Sequence, residues 1–220
     1  MRIKVIITGS TGMVGEGVLQ ECMENPSVEE ILLINRKPYG IQDPMVKEVI
    51  LADFNDLSSL GDSLKDYDAC YFCAGVSSIG LSEDEYYKLT YSLTLNFAKS
   101  LAAINPNMVF CYVSGRGTDS SEEGRVSWAR VKGKTENDLM KLPFKAVYNF
   151  RPAFMKPTEG AKNIKPLFKV ISFLYPIMRP FNKAYFLTLS EVGKAMINVS
   201  LDGYNKNILE IQDISFLAKE

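Results

Sequence analysis

Three glycines at three-residue intervals carry the strongest chemical signal in this 220-residue chain. Gly9, Gly12 and Gly15 follow the apolar, β-branched run Ile3 to Ile7, which predicts a buried strand, and a helical pattern starts at the third glycine. Such glycines allow a tight turn, approach of a pyrophosphate to the backbone, and close packing of a helix whose free N–H groups attract phosphate. The pattern predicts a dinucleotide site; the alternative is a turn kept for packing alone. The residues assigned to the turn are Thr8, Gly9, Ser10, Thr11, Gly12, Met13, Val14 and Gly15.

The end of the second predicted strand distinguishes the two nicotinamide dinucleotides. An NAD site usually carries Asp or Glu there, bonded to the 2′-hydroxyl of the adenosine ribose. Here Asn35, Arg36 and Lys37 follow the strand instead. Arg36 can stack on adenine or bind a 2′-phosphate with two parallel hydrogen bonds, and Lys37 adds a second positive charge. NADP(H) is therefore favoured over NAD(H), and the alternative for both cations is a solvated turn.

Residues after the third and fourth predicted strands are further candidates for the cofactor site. Asp53 and Phe54 follow the third strand, where the carboxylate could bond to the adenine amino group or form a turn. Cys73, Ala74 and Gly75 follow the fourth strand, where small residues would let the backbone lie against a cofactor ribose. Close packing explains the glycine equally well, so both interpretations stay open.

Alternating apolar runs and helical patterns position these residues. The fold class is α/β, with a doubly wound, mainly parallel sheet of the Rossmann type, helices on both faces and a small C-terminal substrate or lid segment. Strands are predicted at 3–7, 31–34, 46–51, 69–73, 108–113 and 145–150, and helices at 57–64, 82–104 and 123–140.

The length predicts a single domain over residues 1–220, with a nucleotide-binding core at 1–155 and C-terminal substrate or lid elements at 156–220 packed on it. In that last part, 167–178 is strongly apolar and is a lid, a membrane-surface patch or a buried helix. A clearer helix is predicted at 187–199 and an edge strand at 208–211.

The composition disfavours several classes of function. The chain has no histidine, which excludes Ser-His-Asp and Cys-His catalysis and histidine-ligated zinc. A net charge of −1 disfavours nucleic acid as a partner. Cys70 and Cys73 form a single C-x-x-C inside an apolar strand, which indicates reduced thiols, no metal site and a cytoplasmic location. Neither a signal peptide nor a transmembrane segment is predicted.

The order of the motifs resembles the short-chain dehydrogenase/reductase superfamily, in its atypical and extended branches. The resemblance covers residues 1–155 well. The chain is similar to small NADP-binding proteins in the oxidoreductase-like, Tat-interacting tumour suppressor group and to nucleoside-diphosphate-sugar epimerases. It implies that Arg151 and Pro152 lie beside the nicotinamide end of the cofactor. The matching motifs are Thr8-Gly9-x-x-Gly12-x-x-Gly15, Asp53-Phe54, Cys73-Ala74-Gly75, Tyr112-Val113-Ser114-Gly115 and Phe150-Arg151-Pro152.

The resemblance also implies a catalytic Ser, Tyr and Lys, with the Tyr four residues before the Lys. Ser114 and Lys132 match, as a substrate contact and a ligand of the nicotinamide ribose, although a turn cap and an exposed helix lysine are the alternatives. Trp128 replaces the Tyr, and its indole N–H has no proton-transfer chemistry near neutral pH. Because no tyrosine occurs between Tyr112 and Tyr148, shifting the alignment along this helix recovers none.

Two functions follow from this departure. Either another group supplies the proton and the protein transfers hydride to or from a small, fairly apolar carbonyl or alcohol substrate, or it binds NADP(H) without turnover, as a sensor or scaffold whose protein partner is governed by cofactor occupancy. An epimerase-like activity on sugar nucleotides is a further alternative. The helices at 82–104 and 123–140 are candidates for pairing across the two-fold axis of a homodimer.

Overall fold

The central sheet consists of seven parallel strands, in a computed structural model that describes residues 2–158, 163 and 186–219. The strands are β1 Ile3–Thr8, β2 Val28–Asn35, β3 Val46–Ile50, β4 Ala69–Phe72, β5 Val109–Val113, β6 Ala146–Phe150, β7 Phe154–Lys156, β8 Phe186–Thr188 and β9 Ile208–Leu209. The order in the central sheet is β3-β2-β1-β4-β5-β6-β9, and a separate parallel pair is formed by β7 and β8. This arrangement confirms the predicted α/β class and the parallel sheet.

Helices cover both faces of the sheet, as its apolar strands require. One buried cluster joins the sheet to α1, α5 and α6, and a second joins the opposite face to α3 and α4. None of the described helices is long and apolar enough to cross a membrane. The helices are α1 Met13–Glu24, α2 Glu83–Tyr87, α3 Leu93–Ile104, α4 Ser127–Leu139, α5 Leu189–Asp202 and α6 Ile211–Leu217.

The strand order reverses between β1 and β4, which are hydrogen-bonded neighbours at the centre of the sheet. The chain leaves β1 to one side of the sheet and returns to β4 on the other side, so the connections diverge at the carboxyl ends of these strands. A crevice opens at such a switch point, and nucleotides bind there in doubly wound sheets. The glycine-rich turn follows β1 directly and therefore lies in this crevice.

Two predicted helices are shorter in the structure because Asp side chains hold turns at their starts. Asp119 accepts hydrogen bonds from the backbone N–H groups of Ser121 and Gly124, so the helix predicted at 123–140 begins only at Ser127. Asp side chains bond in the same way at positions 53 and 56, and the helix predicted at 57–64 is reduced to a 3-10 turn at 61–64.

The long helical segment predicted at 82–104 is present, with one irregular turn. Its start is a capping box in which Ser82 and Glu85 satisfy each other's backbone N–H groups. A π turn at Lys88–Ser92 joins α2 to α3. The sequence pattern could not predict this turn, because it keeps the helical apolar spacing on either side.

The C-terminal part differs from the sequence prediction at its start. Phe186–Thr188 is a strand that pairs with Phe154–Lys156, so the helix predicted from residue 187 begins at Leu189, behind a capping box formed by Thr188 and Glu191. The edge strand predicted at 208–211 is parallel and two residues long, and α6 follows it. The apolar segment predicted as a helix at 167–178 lies outside the described residues.

Candidate functional site

A cavity of about 490 Å³ lies at the carboxyl ends of β1, β2 and β4, where the strand order reverses. Every residue in its wall belongs to the cofactor site predicted from the sequence, and these residues come from four separate segments that only the sheet brings together. The wall is formed by Gly9, Thr11, Gly12, Asn35, Arg36, Lys37, Phe54, Cys73, Ala74 and Gly75.

The geometry of the glycine-rich turn depends on two glycines. Gly9 has φ +71°, and a Cβ built on it would lie 2.7 Å from the Cα of Ala74, at the end of β4. A Cβ on Gly15 would lie 2.2 Å from the carbonyl oxygen of Gly9. Helix α1 therefore packs directly on the turn, with no room for a side chain. Its N-cap, Gly12, has no side chain to bond the first N–H groups of the helix.

Polar side chains tie the ends of neighbouring strands together around the cavity. The Thr8 hydroxyl accepts a hydrogen bond from the Ala74 N–H at 3.3 Å, and the Ser10 hydroxyl accepts one from Asn35 Nδ2 at 2.7 Å. Both hydroxyls are fully buried. Thr8 and Ser10 therefore shape the turn from below, while Met13 and Val14 lie half-buried in the first turn of α1.

Two cations stand at the rim of the cavity. The side chains of Arg36 and Lys37 are exposed and line the cavity. Within the described part of the chain, no carboxylate lies in salt-bridge range of either one. Their positive charge is therefore not neutralised by the protein where the structure describes it.

Asp53 and Phe54, which follow β3, lie in different environments. The Asp53 carboxylate is exposed and accepts hydrogen bonds from the backbone and side chain of Asn55, so it forms a turn. Phe54 is buried and lines the cavity. A contact of Asp53 with adenine remains a prediction.

The two cysteines of the C-x-x-C motif at β4 are free thiols, and they pack on opposite faces of the sheet. Cys73 lines the cavity, and burial raises its pKa to about 12. Burial also raises the pKa of the Cys70 thiol, which lies in the core. Neither thiol is activated as a nucleophile, because both favour the protonated form.

Lys132 and Ser114 meet at the carboxyl end of β5, and Trp128 lies on the same helix as Lys132. The Lys132 ammonium donates a hydrogen bond to the carbonyl oxygen of Ser114, and the Ser114 hydroxyl donates to the carbonyl of Phe150 at 3.0 Å. The Trp128 ring packs beside the Gly117 turn, one helical turn before Lys132. Burial lowers the pKa of Lys132 to about 8, against the attraction of the Glu136 carboxylate. The catalytic assignment of all three stays a prediction.

The Arg151 guanidinium forms a buried ion pair with Glu136. Its Nε donates to Glu136 at 3.0 Å and its terminal nitrogens bond to Glu136, Glu210 and Ser120. Glu136 is completely buried, so the guanidinium is its charge partner. The side chain therefore joins β6 to α4 and to the start of α6. The following residue, Pro152, accepts the Arg116 N–H through its carbonyl.

Comparison with known proteins identifies the family. Residues 5–123, more than half of the chain, match the model of the NAD dependent epimerase/dehydratase family. The chain belongs to this family. The matched region contains the glycine-rich turn, the rim cations and Ser114, and it ends before α4.

Two fungal proteins resemble this epimerase/dehydratase-family chain in sequence. Leucinostatins biosynthesis cluster protein T of Purpureocillium lilacinum is 32% identical over 143 residues, covering 63% of this chain and 51% of that protein. The chain thus spans about half the length of that relative. The mitochondrial protein FMP52 of Meyerozyma guilliermondii is 22% identical over 223 residues, covering 97% and 92%.

A solved structure shares the fold of this chain. The Bordetella bronchiseptica enzyme WbmF, solved in complex with NAD+, superposes with a TM-score of 0.64 at 16% identity. The superposition covers 99% of this chain and 77% of WbmF. At this identity the likeness establishes the Rossmann-type fold.

Two glutamates at the site of this epimerase/dehydratase-family protein were missed from the sequence. Glu136 follows Lys132 by four residues, so the helical period places both on one face of α4, and this spacing was an available signal. Glu48 lies in β3 and reaches the end of β2. The sequence of its strand, Val46–Ile50, does not alternate apolar and polar residues in a way that would single it out.

The buried ion pair predicts a large loss of stability when one partner is removed. Replacing Glu136→Ala leaves the Arg151 charge buried with only partial compensation, and we expect the free energy of unfolding to fall by about 3–5 kcal/mol. Urea denaturation measures this loss. Glu83→Ala is the matched control, because Glu83 pairs with Arg130 at the surface, and it should cost at most about 1 kcal/mol. Equal losses in the two variants would contradict the assignment.

The buried ammonium predicts a pH dependence of stability. The pKa of Lys132 is about 8 in the folded protein against an ordinary value of 10.5, so between these values the unfolded chain binds more protons and stability rises with pH. Relative to Lys132→Met, the wild type should gain roughly 2 kcal/mol of unfolding free energy between about pH 7 and pH 10. Urea denaturation across this range measures it, with the exposed Lys99→Met as control. A constant difference would refute the lowered pKa.

Proposed function

We propose that this protein binds NADP(H) in the cavity at the strand switch point and acts as an oxidoreductase on a small carbonyl or alcohol substrate. The observation that carries the proposal is the pair of unneutralised cations, Arg36 and Lys37, at the rim of a cavity whose floor is a glycine-rich turn. A 2′-phosphate would be the negatively charged partner that these two cations lack. NADH, without that phosphate, offers them nothing comparable.

The residues present fit a dinucleotide. A Cβ on Gly12 would meet only the Gly9 carbonyl, at 3.4 Å, and otherwise open space, so a side chain there would project into the room that a pyrophosphate needs. The N-terminus of α1 has no side-chain cap, and its N–H groups and partial positive charge suit an anion. Asn35 adds a buried side-chain oxygen with no partner among the described residues.

The adenine end has an apolar crevice next to the cavity. Phe54, Val76, Leu89 and Leu93 line it together with Arg36. A planar, weakly polar base suits such a surface, and the Arg36 guanidinium can stack on its face while bonding to a phosphate. In this arrangement Phe54, rather than the exposed Asp53 carboxylate, supports the base.

We infer that Lys132 moves the proton that a tyrosine moves in the short-chain dehydrogenases this chain resembles. NADP(H), when bound, supplies the hydride or accepts it. Lys132 lies at the carboxyl end of β5 beside Ser114, and with a pKa of about 8 it exists in both protonation states near neutral pH. Its ammonium can donate a proton to a substrate carbonyl oxygen during reduction, and its neutral form can accept one during oxidation.

A second candidate function has its own observation. By the resemblance, Trp128 takes the position of the catalytic tyrosine. It packs on the Gly117 turn and brings bulk without an acid or base. A protein built this way could bind NADP(H) without turnover and act as a sensor or scaffold. An epimerase-like activity on sugar nucleotides shares the need for a proton-transfer group and is distinguished by its substrate.

Calorimetric titration tests the cofactor assignment. We expect NADPH to bind at least about tenfold more tightly than NADH, because charge-assisted hydrogen bonds to a phosphate contribute about 1.5–3 kcal/mol. Arg36→Ala should weaken NADPH binding about tenfold or more and change NADH binding much less. Quenching of Trp128, the single tryptophan, reports the same binding optically.

Arg2→Ala provides the matched control, since Arg2 is an exposed arginine at the amino-terminal edge of the sheet, away from the cavity. It should leave both affinities unchanged. Equal affinity for NADPH and NADH in the wild type would overturn the NADP assignment, and no binding of either nucleotide would overturn the dinucleotide site itself.

Turnover with a panel of small carbonyl substrates distinguishes enzyme from binding module. If Lys132 is the acid, the NADPH-dependent reduction rate should fall as pH rises through about 8, the pKa of Lys132, and Lys132→Ala should abolish it. Trp128→Tyr restores the family's phenol and should raise the rate. Tight NADPH binding without turnover in the wild type and in Trp128→Tyr would favour the sensor or scaffold.

A further inference from the structure

One carboxylate closes the loop that follows β2. Glu48, on the neighbouring strand β3, accepts a hydrogen bond from Asn35 Nδ2 at 2.9 Å, at the start of the loop. It also accepts the backbone N–H groups of Tyr39 at 2.7 Å and Gly40 at 3.3 Å, at the end of the loop. Residues 36–38 are thus bracketed on both sides by the same side chain, and both carboxylate oxygens are occupied by loop donors.

Glu48 also determines how the Asn35 amide is oriented. A carboxylate only accepts hydrogen bonds, so the amide nitrogen of Asn35 must face it, and that nitrogen donates as well to Ser10 in the glycine-rich turn. The amide oxygen is left buried, and no described residue donates to it.

The loop that Glu48 closes carries both rim cations. Arg36 and Lys37 are exposed, and their side chains make no hydrogen bond to any residue in the described ranges, so their backbone is what positions them. Pro38 restricts the backbone of Lys37, and Gly40 has φ +78°, a conformation that favours glycine. A loop ordered before binding spares the ligand the entropic cost of ordering it.

We propose that Glu48 is the positioning residue that sets the preference of this site for NADPH over NADH. It holds Arg36 and Lys37 where a 2′-phosphate binds, and it touches no part of the ligand itself. The proposal rests on the NADP(H) assignment above. The proposal predicts that removing the Glu48 charge weakens the binding of the 2′-phosphate. Charge repulsion alone would predict the opposite, because a carboxylate near a phosphate repels it.

The test is calorimetric titration of Glu48→Gln with NADPH, NADH, 2′,5′-ADP and 5′-AMP. Glutamine keeps the shape but has one acceptor oxygen and an amide that cannot accept the loop N–H groups. We expect NADPH and 2′,5′-ADP to bind about tenfold more weakly, while NADH and 5′-AMP change by less than about twofold. Glu29→Gln removes the same charge from an exposed position near the start of β2 and should change none of these affinities.

The apo protein provides a readout that is independent of any cofactor. Trypsin can cut after Arg36 when the loop opens, so Glu48→Gln should be cleaved there faster than the wild type and Glu29→Gln. Thermal unfolding of all three proteins shows whether the fold is retained. If Glu48→Gln does not fold, Glu48→Asp, which keeps the charge but is shorter by one methylene, is titrated instead and should show a smaller shift in the same direction.

The outcomes separate the two proposals. A wild type that binds NADPH no more tightly than NADH overturns the NADP(H) assignment and this inference with it. A wild type that discriminates, with a Glu48→Gln variant that discriminates equally well, overturns only the role of Glu48. Equal weakening of all four ligands would mean that Glu48 merely stabilises the fold, and tighter NADPH binding would mean that it acts by repulsion; either result overturns the positioning role.

Discussion

The close approach of Gly15 to the carbonyl of Gly9 is the constraint on which the site depends. No side chain fits between the helix and the turn, since a Cβ on Gly15 would lie 2.2 Å from that oxygen. Helix α1 can therefore start at Met13, one short turn after β1, and direct its unpaired N–H groups along the crevice where the strand order reverses. The positive φ of Gly9 allows the same turn to lie against the end of β4. A Cβ at either position would move the helix away from the crevice.

The two ends of the site are built by different physical means. At the cavity, loops are held by hydrogen bonds from backbone and amide groups to Ser10 and Glu48, and the cations are left exposed. At the opposite end, Arg151 and Glu136 form a buried ion pair, which is costly to desolvate but fixes β6 against α4. The same α4 carries Lys132 and Trp128. The first end leaves its positive charges exposed, whereas the second fixes α4, and with it Lys132, against the sheet.

The resemblance to short-chain dehydrogenases predicts a tyrosine at the position of Trp128 in this second end. Lys132 keeps its bond to the end of β5, and the fully buried Glu136 carboxylate moderates the lowering of its pKa by burial. In the family pattern a lysine lowers the pKa of the tyrosine beside it. Here no phenol stands at that position, and in the function proposed above the Lys132 ammonium, whose pKa burial lowers to about 8, would supply the proton instead.

The sequence by itself determined the sheet, the glycine-rich turn and the segments that line the cavity, because each depends on local patterns: apolar runs, glycine spacing and the residues that end each strand. It also placed Arg36 and Lys37 at the end of β2. Tertiary structure alone decided what those segments do to one another. Glu48 reaches the β2 loop from a neighbouring strand, and Arg151 turns toward Glu136. The Asx turns at Asp53 and Asp119 also cut two predicted helices short. These features depend on side-chain partners that only the packed structure brings together, and local sequence patterns do not reveal such partners.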